Sequence, residues 1–195
     1  DCNRAVFSEL HKLTMLNQYL QEYRVCVQAG GNVGVFPREL AKHFEVVYTF
    51  EPDPENFNCL SRNCPEHNIV KFNAALGEHH EMIQVGSPDR SHDHNCGAYQ
   101  VLGEGIIPTL MIDDFDLPTC DLIYLDIEGY ELFAIKGAME TIERYQPVIV
   151  LEQKNLPIMY DLEPESATEY LVLNHGYEVM ERAMRDIILV HRSRL

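Results

Sequence analysis

The feature that most constrains this chain is a repeated alternation of short apolar segments with amphipathic ones. Residues 24–29 (RVCVQA), 46–50, 68–72, 121–126 (DLIYLD) and 148–152 (VIVLE) are dominated by apolar and β-branched side chains with no clean in-and-out alternation. Strands of that kind belong to a parallel sheet covered on both faces. Between them the spacing predicts helices. Phe36, Leu40 and Phe44 share one face over 35–44, and a short helix fits 55–62. Leu132, Ile135, Ala138, Met139 and Ile142 predict a helix over 131–144. Another fits 166–174, stopped at Gly176. Phe7, Leu10, Leu13, Leu16 and Leu20 predict one more over 7–22. Short strands are expected near 81–85, 97–102 and 108–112, then a turn into a partial helix at 112–115. Residues 177–182 and 186–191 read as a closing hairpin. The whole is an α/β chain of one domain, 1–195. Its parts are an N-terminal helix (1–22), a core (23–152) and a C-terminal helix with hairpin (153–195).

Charge narrows the partners. Fifteen Lys and Arg face 31 Asp and Glu, a formal net charge of −16. Such a chain is repelled by phosphate backbones and anionic lipid, which argues against nucleic acid and membrane partners. No stretch approaches the roughly 18 apolar residues of a membrane span. Six cysteines are scattered without a CxxC pair, and Cys26 and Cys120 read as small buried thiols. That usage points to a reducing, cytoplasmic setting.

Two sites carry chemistry. The first is Ala29-Gly30-Gly31-Asn32-Val33-Gly34, between a strand and a helix. Glycines there let backbone approach a ligand, and the helix N-terminus offers free N–H groups. Glu51 ends the next strand, where a carboxylate can accept both hydroxyl hydrogens of a ribose. The spacing departs from the G-x-G-x-x-G of dinucleotide sites, and no P-loop Lys-Ser/Thr follows. A cationic, phosphate-free nucleoside such as S-adenosylmethionine suits an acidic chain better than NAD does. The second site is Tyr124 to Glu131 (YLDIEGYE), where acids cluster at the carboxyl end of an apolar strand. Helix capping accounts for Glu131. Asp126, at the strand end, reads as functional.

With these residues in place, the chain resembles the FkbM-type S-adenosylmethionine-dependent methyltransferases. The matching segments are GGNVGVF (30–36), FEPDPENF (50–57), FNAALG (72–77), DLIYLDIEGYE (121–131) and PVIVLE (147–152), in the family's order. The resemblance implies a class I, Rossmann-like methyltransferase fold: a central, mostly parallel seven-stranded sheet, order 3-2-1-4-5-7-6, with helices on both faces. It implies S-adenosylmethionine as cofactor and O-methylation of a hydroxyl on a sugar or other small molecule. The cofactor residues are then Gly30, Asn32 and Gly34 in the loop, Glu51 at the ribose, and Asn73 and Ala74 beside the adenine. Asp126 and Glu128 are the catalytic candidates, with Glu152 on the acceptor side. One departure stands out: the family usually carries Asp at the position of Gln28.

His79, His80, His92, His94 and Cys96 crowd one irregular stretch without zinc spacing, so a solvated loop is expected and no metal is assigned. A loop histidine remains a candidate base beside Asp126 and Glu128. A metal on Asp126 and Glu152 is a weaker option. Two other functions stay open: an inactive nucleoside-binding module of the same fold, and a nucleotide-dependent oxidoreductase. The loops expected to set specificity are 77–105 and 153–165, and they do not spell out an acceptor.

Overall fold

The computed structural model describes residues 14–86, 99–152, 156–183 and 185–195. The main-sheet strands are β1 (Val25–Ala29), β2 (Val46–Phe50), β3 (Ile69–Phe72), β8 (Leu122–Leu125), β9 (Val148–Glu152), β10 (Tyr177–Ala183) and β11 (Asp186–His191). They lie in the order β10-β11-β9-β8-β1-β2-β3. Counted along this sheet alone, that is the expected 3-2-1-4-5-7-6. Neighbours from β3 to β9 pair in parallel, whereas β11 runs antiparallel to both β9 and β10. The helices are α1 (Val35–Leu40), α2 (Pro54–Asn63), α3 (Glu131–Lys136), α4 (Met139–Tyr145) and α5 (Ser166–Asn174).

The missing alternation in the strands has a direct cause. Val25, Val27, Ala29, Ile123, Leu125, Ile149 and Leu151 face one core, with Leu132, Ile135, Ile142 and Leu171 of the covering helices. Cys26, Leu122, Tyr124, Val148 and Val150 face the other, with Leu16, Leu20, Phe36, Leu40 and Phe44. Both faces are dry, so most positions of the central strands are apolar, Gln28 and Thr49 being buried exceptions.

Several elements differ from expectation. The helix over 131–144 breaks after Lys136, because Gly137 packs against Gly77: a Cβ at 137 would lie 2.0 Å from the Gly77 carbonyl oxygen. The Gly137 carbonyl instead accepts the Asp113 N–H at 3.1 Å. Helix α1 stops at Leu40, and a turn carries Phe44 into the core. Near the N-terminus residues 14–16 are helical, and the chain then turns so that Leu16 and Leu20 bury together; the start of that expected helix lies outside the described residues.

The larger difference is a second sheet. Strands β4 (Ala75–Leu76), β5 (Met82–Gly86), β6 (Gln100–Glu104) and β7 (Ile107–Leu110) form it in the order β4-β7-β5-β6. Its small core is Ala75, Ile83 and Ile107. Strand β4 follows β3 after two residues, which brings this sheet to the carboxyl edge of the main one. Among the described residues no helix is long and apolar enough to cross a membrane.

Candidate active site

The carboxyl ends of β1, β2 and β8 open onto one cleft of about 680 Å³, its open mouth included. Gly30, Asn32, Glu51, Ala74, Asp126 and Glu128 all line it, so both sequence motifs meet in one place. Three of the expected residues, Asn73, Gly34 and Glu152, do not line it. Asn73 spends its side-chain amide on the carbonyls of Glu51 (2.9 Å) and Pro52 (3.0 Å), fixing the turn after β2. Gly34 packs α1 on α2: a Cβ there would meet the Cys64 Sγ at 2.5 Å.

Strand β1 ends where β8 ends. The Asp126 N–H donates to the Ala29 carbonyl at 3.2 Å. The next residue, Gly30, has φ +85° and donates its N–H to the Phe50 carbonyl at 3.1 Å. Glu51 closes the loop from the other side. Its Oε2 accepts the Asn32 N–H at 2.7 Å and its Oε1 the Asp53 N–H at 2.9 Å. Burial pushes its carboxyl up to about 7, against the opposing effect of those two donors. The Asn56 side chain also hydrogen-bonds this carboxylate, which leaves only part of its acceptor capacity for a donor arriving through the cleft.

Gln28 is fully buried beneath the loop. Its Oε1 accepts the Thr49 hydroxyl at 2.5 Å and its Nε2 donates to the Ala29 carbonyl at 3.0 Å. The amide therefore joins β1 to β2 and is satisfied within the protein.

On the far side, Asp126, Glu128 and Glu152 bring carboxylate oxygens within 4.8 Å of one another. Such a cluster is stable only if protons, hydrogen-bond donors or a cation share the space. Glu128 is buried and holds a left-handed φ of 55°. Glu152 lines a smaller neighbouring cavity with Pro157 and Ser166. Asp126 does not serve as the cap of α3: the N-cap residue is Tyr130, without a side-chain bond. Glu131 does the local tying, accepting the N–H groups of Ile127 (3.3 Å) and Gly129 (3.2 Å). Burial raises its carboxyl to about 7.

Val85, Tyr99, Val101 and Tyr130 also line the cleft and had no role in the sequence reading. Tyr130 sits inside the acidic motif, a signal that was available. The other three arrive through long-range pairing of the second sheet, which leaves no local mark. His79 and His80 are exposed, with the His80 Nε2 3.3 Å from Asp114. His92, His94 and Cys96 lie outside the described residues.

A family model described as the methyltransferase FkbM domain matches residues 28–179. The chain belongs to the FkbM methyltransferase family. The fold of this FkbM-family chain is also that of solved methyltransferases. The methyltransferase FkbM from Methylobacillus flagellatus KT superposes with a TM-score of 0.56 at 21% identity over 86% of this chain, which spans 43% of that protein. A precorrin 8w decarboxylase from Methanobacterium thermoautotrophicum gives 0.53 at 14% identity, covering 93% of this chain and 89% of that one. Magnesium protoporphyrin IX methyltransferase from Synechocystis PCC 6803, with bound SAM, gives 0.51 at 13% identity, covering 96% and 78%. At these identities the likeness is one of fold. No curated protein matches by sequence.

Proposed function

We propose that this FkbM-family protein is an S-adenosylmethionine-dependent O-methyltransferase whose acceptor is a hydroxyl of a small molecule, a sugar being the leading class. The observation that carries the reading is the single cleft that joins the Gly30 loop and Glu51 on one side to Asp126 and Glu128 on the other. The residues present fit the cofactor: a cleft-lining backbone edge at Gly30, a buried carboxylate at Glu51, and Ala74 as a small apolar wall. When bound, the cofactor supplies an electrophilic methyl group on a sulfonium. Glu51 would accept the ribose hydroxyls, and Gly30 and Asn32 would shape the loop around the nucleoside. Asp126 or Glu128 would orient the acceptor hydroxyl and take its proton as the methyl–oxygen bond forms and the methyl–sulfur bond breaks, leaving S-adenosylhomocysteine. The cleft lining contains no Lys, Arg or His among the described residues, which favours a neutral acceptor over an anionic one.

The test is transfer of a radiolabelled methyl group from S-adenosylmethionine to a panel of methyl glycosides and phenols. Transfer to at least one hydroxyl is expected. A second reading is a binding module that has lost turnover. Gln28 favours it, since this amide, placed where the family usually has Asp, is turned to Thr49 and Ala29. Tight S-adenosylhomocysteine binding without transfer to any member of the panel would select that reading.

A further inference from the structure

One wall of the cleft is the β5–β6 hairpin, through Val85, Tyr99 and Val101. Two tyrosine hydroxyls fasten that hairpin to the rest of the site. The Tyr130 hydroxyl donates to the Glu81 Oε1 at 3.1 Å, one residue before β5. The Tyr160 hydroxyl accepts the Val101 N–H at 3.1 Å, within β6. Strand β6 is the outer strand of its sheet, so an N–H turned away from β5 has no neighbouring strand to receive it. Tyr160 comes from the 3-10 turn Pro157–Tyr160 and supplies that acceptor.

The rings hold the hydroxyls in place. Tyr130 stacks on Phe133 with centroids 4.4 Å apart. Tyr160 meets Tyr130 edge-on at 5.3 Å and Phe133 at 6.0 Å. A three-ring cluster of this geometry resists rotation of any one member. Tyr130 itself lines the cleft next to Glu128, whereas Tyr160 stands behind it. The distance between the carboxylate edge and the Tyr99–Val101 wall is therefore fixed by a contact outside the cleft.

We propose that Tyr160 is a positioning residue for acceptor recognition: through the Val101 N–H it holds the Tyr99–Val101 wall against the non-reacting face of the acceptor. The proposal rests on the reading of this cleft as a methyl-transfer site. The wall is an aromatic ring and a branched aliphatic side chain, in the same cleft as the Asp126 and Glu128 carboxylates. That pairing suits a ring with an apolar face and a hydroxylated rim, and it selects by thickness as well as by hydrogen bonds. The Gly30 loop and Glu51 are carried by β1 and β2, which the latch does not touch.

The test is Tyr160→Phe, which keeps the ring and removes the oxygen. Three quantities are compared with the parent protein: amide exchange at Val101, S-adenosylhomocysteine affinity by calorimetry, and KM and kcat for the best acceptor of the panel. Exchange at Val101 should rise about tenfold or more, the loss of one protecting bond in an edge strand. Cofactor-product affinity should stay within about twofold, and acceptor KM should rise about tenfold with kcat little changed. Tyr130→Phe should free the β5 end in the same way and serves as the second variant. Unchanged exchange at Val101 in a folded Tyr160→Phe protein overturns the latch. Faster exchange with unchanged acceptor KM overturns its role in recognition, as does a parallel loss of S-adenosylhomocysteine affinity. Failure of the whole panel in the parent protein counts against the proposed reaction, whereas the exchange result decides the latch without any acceptor.

Discussion

A Cβ on Gly30 would lie 2.0 Å from the carbonyl oxygen of Asp126. The glycine of the first motif and the acid of the second are thus in backbone contact, and the cleft exists because no side chain separates β1 from β8 there. Gly30→Ala should force the two strand ends apart and also place alanine at φ +85°, a strain of about 1–2 kcal/mol before the overlap is counted. S-adenosylhomocysteine binding should be lost. Gly103→Ala is the control: that glycine also has positive φ, but nothing lies within 4 Å of its would-be Cβ. Calorimetry on both variants checks the claim, and normal binding by Gly30→Ala would place the cofactor elsewhere.

Glu51 links cofactor binding to pH. The ionised carboxylate accepts from two hydroxyls, whereas the protonated form loses one acceptor site. Its carboxyl lies at about 7 in the free protein, so affinity should fall as pH drops through 7, by up to about tenfold per unit. Glu51→Gln should flatten that profile. Glu51→Ala should weaken binding by about 1.5–3 kcal/mol, the scale of a charge-assisted contact. Titrations at several pH values read both effects.

The carboxylate edge gives a different signature. Asp126→Asn and Glu128→Gln should each cut methyl transfer by about 10²-fold or more, the scale of a positioned acid or base. Their melting temperatures should hold or rise, because each removes one carboxyl group from three that crowd within 4.8 Å. Full turnover with either variant would return that residue to a structural role.

Stability should peak in mild acid. Burial keeps the Glu51 and Glu131 carboxyls protonated up to about 7, against an ordinary value of 4.5. The folded state then binds more protons than the unfolded chain between those values, so stability falls as pH rises from 4.5 to about 7. Asp121 acts in the opposite sense. Burial pushes its carboxyl up, but Arg24 (2.6 Å) and the backbone N–H groups of Arg24 and Val25 outweigh it and hold it below the ordinary 3.8. Its contribution is present above 3.8 and lost as pH falls through the lowered value. Thermal melts across acid and neutral pH should show the maximum at about pH 4.5. Asp121→Asn should cost about 2 kcal/mol and flatten the acid limb.

The sheet could be read from the chain because its cause is local and repeated. Ile123 and Tyr124 are both apolar because one faces each dry core, and the same holds for Ile149 and Val150. The glycine loop, Glu51 and Asp126 could be read because strand ends and turns leave marks in sequence. What could not be read depends on contacts between distant segments. The helix break at Gly137 depends on the carbonyl of Gly77, and the amide of Asn73 is claimed by Glu51 and Pro52. Val101 enters the cleft only because β6 pairs with β5 and Tyr160 takes its N–H. No periodicity encodes such pairings.

A crystal structure of the protein saturated with S-adenosylhomocysteine decides where the nucleoside sits. It is expected in the cleft between the Gly30 loop and Ala74, with both ribose hydroxyls on the Glu51 carboxylate and the sulfur turned toward Asp126 and Glu128. A ligand bound away from Glu51, or a cleft left empty at saturation, would contradict that placement.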